Sequence, residues 1–550
     1  MPKITCSLKD LQKLLRRTFS EEKLHDLLPY AKAELEQVNN DELTISFADT
    51  NLPHLWSVEG LARHLRGVLG VETGIAKLPL EKQSFSVLVD KSVASVRPAI
   101  ATFVAKGPAL TEELLLQLIQ LQEKLTEHYG RKRQKVSIGL YPSAKIQFPV
   151  TYKAVEPRNV RFIPLEGKYE QTLQQIITTH PKGIAYGWIL ANAKKYPILV
   201  DARNQVLSLA PIINSATTGK LQLGDTELFF DATGMDIVGV QLVATIVAFA
   251  LADRGYKIYP CNVKYGKNTV RCPVVEPQKI KFDEMLPQKL LGVPLHGAQI
   301  KALLKKARAD YQSPFALVPA YRNDIMHPVD IIEDIAIMHG YETMTALPLT
   351  TATIGTPLPA VGFANAVREL LVGLGYQECL STILSNKDVL YEKTKLQDTG
   401  TIEIANPVSA TYAVVRTWLV PVLLELLGKN KHAEYPQRVF EHGLVTVRKN
   451  NEVCDYERVA ALASHAHADY TEAKQALEYV LRMLGAQYTF EETEHASFIP
   501  GRVARVAVNG VKVAYVGELH PEVLQKFSIE QPVAGFELNL SDLRQVLGKH

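Results

Sequence analysis

Four carboxylates in the segment 321–341 have the spacing of an oxygen-ligand metal site, namely Asp324, Asp330, Glu333 and Asp334. Pro328 suits the first turn of a helix, which places the last three acids on one face near the helix start. Oxygen-only ligation suits Mg²⁺. Acids in a first helical turn also complement the helix dipole without any metal. Spacing alone leaves both interpretations open.

Small polar residues form a second group, in the segments 211–219 and 229–236. Hydroxyl and amide side chains on turns can bind a polar ligand, and Asp231, at the end of an apolar strand, is expected to point into a cleft. Neither segment contains His or Cys to act as a nucleophile or strong base. Because Asn, Ser, Thr, Gly and Asp are also the ordinary turn formers, such a pattern more often reflects turn structure alone.

Two further patterns carry charge. Arg416, Arg438 and Glu441 could bind a nucleotide, although isolated arginines near strands more often form structural ion pairs. The basic run 131–135 fits either a solvated turn or an RNA contact. The chain has no P-loop, H-E-x-x-H or G-x-S-x-G motif.

The elements that position these residues belong to several domains, since 550 residues exceed one compact core. A net charge of +3 excludes a strong global attraction to nucleic acid or anionic membranes. Five scattered cysteines without a C-x-x-C motif argue against a disulfide framework and a zinc site, and fit a reducing cytoplasm. The most apolar run, 237–252, is too short to span a bilayer and predicts a buried helix.

Hydrophobic periodicity predicts the main elements. Helices are expected at 57–69, 237–252, 363–374 and 471–484, and strands at 43–47, 196–200 and 228–230. Asn509-Gly510 between two alternating runs predicts a hairpin. The uncharged Thr- and Pro-rich stretch 343–359 predicts a linker.

Taken in order, these segments resemble the β chain of phenylalanine tRNA synthetase in its archaeal and eukaryotic cytosolic form. The resemblance covers nearly the whole chain. Its motifs are Leu55-Trp-Ser-Val-Glu-Gly-Leu-Ala-Arg63 in the first module, His180-Pro-Lys-Gly183, Pro211-Ile-Ile-Asn-Ser215 and Asp231-Ala-Thr-Gly234 in the editing domain, residues 321–341, and the stretch from Asn406.

The resemblance implies a multidomain α+β and α/β protein. Its expected parts are an N-terminal module (1–85), an α/β tRNA editing domain with its lead-in (86–265), a small helical Mg²⁺-binding module (269–345), a linker (346–360) and a non-catalytic class II synthetase-like domain (361–550). The last is expected to be an antiparallel sheet flanked by helices. Around 533–540 it has one Gly and no Arg until Arg544, so we expect no adenylation site there.

The resemblance also implies a function. The expected protein is a subunit of a cytoplasmic α₂β₂ ligase that charges tRNA(Phe), with ATP and phenylalanine bound by the α chain and no membrane contact. It implies Mg²⁺ at Asp324, Asp330, Glu333 and Asp334. It places the site that hydrolyses Tyr-tRNA(Phe) at Ser215, Asp231 and Thr233, with Asn214 and Leu207 as neighbours. A stand-alone aminoacyl-tRNA deacylase and a non-enzymatic RNA-binding scaffold are the alternatives.

Overall fold

The computed structural model describes residues 2–398 and 400–548. It divides into two compact units, Met1–Pro348 and Leu349–His550. Met1, Thr399, Lys549 and His550 lie outside the described residues. Each unit has its own buried clusters of apolar side chains, so each is described separately.

Unit 1 begins with an antiparallel sheet in the order β1-β3-β2. Its elements are β1 (Lys3–Ser7), β2 (Ala33–Asn39) and β3 (Glu42–Phe47), with α1 (Leu8–Leu15), α2 (Glu21–Leu27) and α3 (Val58–Val68). Ser57 caps α3 by accepting a hydrogen bond of 3.1 Å from the Gly60 amide.

A large mixed sheet forms the middle of unit 1, together with a small hairpin and four helices. Its strands and those of the hairpin are β4 (Phe85–Val89), β5 (Ala99–Lys106), β6 (Val136–Pro142), β7 (Val150–Val155), β8 (Arg161–Phe162), β9 (Gln171–Thr172), β10 (Tyr196–Val200), β11 (Val206–Leu209), β12 (Ile213–Asn214), β13 (Glu227–Gly234), β14 (Lys257–Tyr265) and β15 (Asn268–Cys272). The helices are α4 (Glu112–Lys124), α5 (Leu173–Thr179), α6 (Pro181–Tyr186) and α7 (Ile237–Asp253).

The large sheet runs in the order β12-β11-β10-β7-β4-β14-β5-β13-β6, with β15 added to β14. Helix α7 is apolar around most of its circumference and is buried along almost its whole length. Asp236 caps it, accepting a hydrogen bond of 2.6 Å from the Gly239 amide. The prediction of a buried helix rather than a membrane span is therefore confirmed.

The third part of unit 1 combines a small sheet, in the order β16-β18-β17, with three helices. Its elements are β16 (Gln278–Lys281), β17 (Asp310–Gln312), β18 (Phe315–Val318), α8 (Leu286–Leu291), α9 (Gly297–Lys306) and α10 (Pro328–His339). The expectation of a helical module was therefore wrong in part. Strands of three or four residues are too short to give a readable alternation in the sequence.

Unit 2 contains an antiparallel sheet in the order β22-β23-β27-β26-β25-β24, to which β19 adds in parallel at the β22 edge. The strands of this sheet are β19 (Gln377–Glu378), β22 (Gln437–Lys449), β23 (Glu452–Ser464), β24 (Tyr488–Glu492), β25 (Phe498–Val508), β26 (Val511–Leu519) and β27 (Val533–Asn539). A separate pair of strands, β20 (Leu384–Ser385) and β21 (Val414–Val415), also belongs to unit 2. Its helices are α11 (Pro359–Gly373), α12 (Val420–Lys429), α13 (Tyr470–Met483), α14 (Pro521–Lys526) and α15 (Leu540–Val546).

The predicted helices and strands are present, with ends that differ by a few residues. The predicted hairpin joins β25 and β26 through Asn509-Gly510, and both turn residues have positive φ, as a tight hairpin turn requires. Among the helices of the described residues, none has both the length and the apolar composition of a bilayer span.

Candidate functional site

A cavity of about 590 Å³ lies where the two ends of the large sheet approach each other. Strand β6 ends the sheet on one side and β12 on the other. The Asn214 side-chain amide joins these ends by donating a hydrogen bond of 3.3 Å to the carbonyl of Leu140. The polar residues in the lining include Gln122, Arg133, Ser137, Tyr141, Ser208, Asn214 and Asp231.

Asp231 is the buried acid of this cavity, with 3% of its surface exposed. It lies inside β13, not at its end as expected, because the strand continues to Gly234 and pairs with both β5 and β6. The Tyr141 hydroxyl donates a hydrogen bond of 2.5 Å to Asp231 Oδ1. Asp231 Oδ2 accepts no hydrogen bond from the described residues.

Burial raises the pKa of Asp231 to about 6, although the Tyr141 hydrogen bond and the charge of Arg97 both lower it. The Tyr141 hydroxyl also lies 3.0 Å from the Ser208 hydroxyl, which completes a chain from β11 to β13. Above pH 6 the cavity therefore contains a carboxylate with one oxygen open to a hydrogen-bond donor.

Gly139 makes room for this chain. A Cβ atom at Gly139 would lie 2.3 Å from the Tyr141 hydroxyl and 2.4 Å from Asp231 Oδ1. Both distances are shorter than real Cβ contacts, so only glycine at this position lets the phenol reach the carboxylate.

Arg97 lies behind the cavity and is fully buried. Its Nε donates to Thr233 Oγ1 at 3.0 Å, and its Nη2 donates to the Thr233 carbonyl at 2.6 Å. Further bonds reach Ser137 Oγ and the carbonyls of Arg133 and Gln134. Burial lowers the pKa of Arg97 to about 10.

The structure brings together some of the predicted editing residues and separates others. Asp231 and Asn214 line the cavity, whereas Ser215 and Thr233 are buried beside it and are absent from its lining. The Ser215 hydroxyl is 2.8 Å from Thr217 Oγ1, and Thr233 is bound to Arg97. Leu207 is a buried core residue whose carbonyl accepts a hydrogen bond from the Ser215 amide. The cavity lining contains no His or Cys within the described part of the chain.

Sequence reasoning missed Tyr141, Ser208, Arg97 and Gly139. A single glycine inside the apolar run 136–142 was a usable signal, because glycine in a strand often marks a close approach. No local pattern marks the other three.

The four acids predicted to bind Mg²⁺ each have a partner within the protein. Arg322 donates to Asp334 Oδ2 at 2.5 Å and also to Asp324, and burial leaves its side chain 7% exposed. Asp330 accepts from the Met326 and His327 amides at 2.7 and 2.8 Å, ahead of α10. Glu333 pairs with Lys32 at 2.9 Å.

In this arrangement the residues do not fit a bound cation, because the Arg322 guanidinium occupies the space between Asp324 and Asp334. Across residues 2–398 and 400–548, no three His, Cys, Asp or Glu side chains are grouped to hold a metal ion. The Mg²⁺ assignment to Asp324, Asp330, Glu333 and Asp334 stays a prediction.

In unit 2, the sheet is covered by apolar side chains on both faces. Phe440, Ala461 and Phe536 belong to one cluster, with α11, α13 and α15. Their strand neighbours Val439 and Leu462 belong to the other, with α12. The two arginines singled out in the sequence are both in ion pairs, Arg416 with Glu441 at 2.6 Å and Arg438 with Glu472 at 2.8 Å.

Two family models match the chain. The B5 domain of tRNA synthetases matches residues 280–341, and the phenylalanyl tRNA synthetase beta chain CLM domain matches residues 344–540. An N-terminal fragment of the phenylalanyl-tRNA synthetase beta-subunit from Pyrococcus horikoshii, solved by crystallography, superposes with a TM-score of 0.60 at 38% identity. It covers 62% of this chain and 100% of that one.

Curated relatives match over the whole length. The phenylalanine--tRNA ligase beta subunit of Pyrococcus abyssi is 39% identical over 557 residues, covering 99% of this chain and 100% of the relative. That of Archaeoglobus fulgidus is 36% identical over 548 residues, covering 98% of both. Such identity over nearly all of this chain and of each relative confirms the resemblance, and the chain belongs to the family of phenylalanine--tRNA ligase beta subunits.

Proposed function

We propose that this chain, with an α subunit in an α₂β₂ tetramer, attaches phenylalanine to tRNA(Phe) using ATP, giving AMP and diphosphate. The observation that carries this proposal is the 39% identity to a phenylalanine--tRNA ligase beta subunit over 99% of the chain. That membership supports the partner, the substrates and a cytoplasmic location as parts of the proposal.

The adenylation step belongs, in this proposal, to the α chain. A catalytic sheet needs one face open to ATP and fixed cations for the developing phosphate charge. The unit 2 sheet is instead packed on both faces, and Arg416 is buried against Glu441. In the proposed reaction, Mg²⁺ takes part only as the cation that accompanies ATP. No step of the reaction depends on Asp324 or on the acids of α10.

We further propose that the unit 1 cavity hydrolyses Tyr-tRNA(Phe). A pocket shaped for phenylalanine rejects an analogue with one added hydroxyl by only about 10²-fold, so a second site has to remove tyrosine. Asp231 Oδ2 can accept the tyrosine phenol, whereas phenylalanine leaves this buried oxygen unpaired. The bond from Tyr141 to Oδ1 supports this role, because it is the same phenol-to-carboxylate contact.

Hydrolysis itself adds water across the ester. The water oxygen bonds to the acyl carbon, the bond from that carbon to the ribose oxygen breaks, and a proton of the water passes to this ribose oxygen, which leaves as the RNA hydroxyl. Because the lining offers no His or Cys in the described chain, the protein's part is positioning. Asn214 holds the two sheet ends together, and Thr233 acts through Arg97 instead of contacting the substrate.

Deacylation by the assembled tetramer tests the proposal. Preformed Tyr-tRNA(Phe) and Phe-tRNA(Phe) are presented to wild type, Asp231→Ala and the control Glu227→Ala, which changes a partly exposed acid on the same strand. We expect Asp231→Ala alone to slow tyrosine release by about 10- to 100-fold, since a charge-assisted hydrogen bond contributes about 1.5–3 kcal/mol. Phenylalanine charging should be unchanged.

Purifying the chain with and without an α subunit distinguishes the proposal from the two alternative functions. A monomeric chain that deacylates Tyr-tRNA(Phe) without a partner would identify a stand-alone deacylase. Strong tRNA binding without charging or deacylation, even after an α subunit is added, would identify an RNA-binding scaffold. Wild-type deacylation rates in Asp231→Ala would place the editing site outside this cavity.

A further inference from the structure

The basic turn formed by Arg131, Lys132 and Arg133 follows α4 and leads into β6, next to the cavity mouth. All three residues have left-handed backbone conformations, with φ of 50°, 52° and 67°. Non-glycine residues rarely adopt this conformation, and three in succession are strained. Strain of this kind persists only where the surrounding structure fixes it, and it is concentrated at functional sites.

Two arginine side chains fix the basic turn, Arg97, which is fully buried, and Arg133, which is partly buried. Arg97 donates hydrogen bonds of 3.0 Å to the carbonyls of Arg133 and Gln134 while it also holds Thr233. The Arg133 side chain donates to the carbonyl of Ile212 at 2.8 Å and lies over the Tyr186 ring at 4.1 Å. The basic turn is therefore bonded both to Arg97, which lies behind the cavity, and to Ile212, which lines it.

The remaining two cations of the turn are free. Arg131 and Lys132 are exposed, and neither forms an ion pair or a side-chain hydrogen bond within the described residues. Other charges at the mouth largely balance, because Lys182 and Lys220 line the cavity together with Glu123 and Glu166. Arg131 and Lys132 adjoin the lining residue Arg133 and add two exposed positive charges that no acidic side chain of the described residues pairs with.

We propose that Arg131 and Lys132 bind backbone phosphates of the single-stranded RNA end whose terminal aminoacyl ester enters the cavity. This inference rests on the proposed editing function. Phosphates are the groups that such uncompensated cations bind, and contact with them is independent of sequence. Because Arg97 and Arg133 attach the backbone of the turn to residues around the cavity, Arg131 and Lys132 stay near the lining residue Arg133.

The test uses the assembled tetramer with the double variant Arg131→Gln, Lys132→Gln. The control variant Lys264→Gln, Lys267→Gln removes the same charge from exposed positions of unit 1 outside the cavity lining. For Tyr-tRNA(Phe) deacylation we expect KM to rise about tenfold with kcat within about twofold, and the salt slope of log kcat/KM to fall by about 1.4, as two lost single-strand phosphate contacts imply. The control should match wild type.

A substrate without phosphates separates phosphate binding from hydrolysis of the ester. The 3′-tyrosyl ester of adenosine carries the ester and no phosphodiester, so the double variant and wild type should hydrolyse it equally. Wild-type KM and salt slope for Tyr-tRNA(Phe) in the double variant would overturn this inference and leave the editing proposal standing. Failure of wild type to deacylate Tyr-tRNA(Phe) at all would overturn the editing proposal, and this inference with it.

Discussion

Replacing Asp231 with asparagine removes a buried charge and keeps the shape of the side chain, so it isolates the cost of burying that charge. In the folded protein burial raises the pKa of Asp231 from its ordinary value of 3.8 to about 6. Between these values the folded chain binds more protons than the unfolded chain, so stability falls as pH rises. Above pH 6 the loss is complete, at about 3 kcal/mol.

The Asp231→Asn variant should lose this pH dependence, because an amide does not titrate. Relative to wild type, we expect it to be more stable by about 0.5 kcal/mol at pH 4 and by about 3 kcal/mol at pH 8. Hydrogen exchange of the β6 and β13 amides, followed by mass spectrometry, measures the opening free energy of this region in the intact chain. At pH 8 exchange in the variant should be slower by about 100-fold.

Glu227→Gln on the same strand is the matched control, since Glu227 pairs with Lys106 at 3.1 Å with both side chains about one-third exposed. Its exchange should stay close to that of wild type at both pH values. If Asp231→Asn changes the exchange rates by the same factor at pH 4 and pH 8, Asp231 does not carry its charge in a buried site, and the reasoning fails.

Three further changes test other contacts. Gly139→Ala should break the Tyr141–Asp231 bond by overpacking and abolish Tyr-tRNA(Phe) deacylation while phenylalanine charging persists, which parallel assays of both reactions check. Arg416→Met should destabilise unit 2 by about 3–5 kcal/mol, because it leaves Glu441 buried without its cation, and Glu441→Gln in the same chain should restore part of the melting temperature. Chelation of divalent cations should leave the melting temperature of the wild type unchanged, since Arg322 supplies the positive charge between Asp324 and Asp334. The melting temperature of the Arg322→Met variant should instead depend on Mg²⁺. A wild type whose melting temperature falls on chelation would favour a metal at Asp324 and Asp334.

The sequence could predict that Asp231 faces a cleft, because a single acid at the end of an apolar run stands out from its neighbours. It could not predict the partner, since Tyr141 lies 90 residues away on a different strand. Arg97 is 136 residues from Thr233, and its surroundings in the sequence contain nothing to distinguish it from a surface arginine. Only the pairing of β13 with both β5 and β6 brings these groups together.

The acidic segment shows a related limit. The prediction that Asp330, Glu333 and Asp334 lie near the start of one helix agrees with α10. The charge balance of these acids could not be predicted from the segment itself, because Lys32, which lies about 300 residues earlier in the turn before β2, pairs with Glu333. A cluster of acids in a sequence therefore identifies a need for positive charge, and the fold decides whether a side chain or an ion supplies it.

In unit 2, the hydrophobicity pattern of one strand contains information that a search for catalytic motifs overlooks. The run 459–463 in β23 is apolar at every position, whereas a strand with one open polar face alternates. The structure places alternate residues of that run in different clusters, with Ala461 on one face and Ala460 and Leu462 on the other. An uninterrupted apolar strand in a synthetase-like sheet thus argues against an exposed nucleotide-binding face before any catalytic residue is considered, and it favours a role in which this domain supports a partner's chemistry.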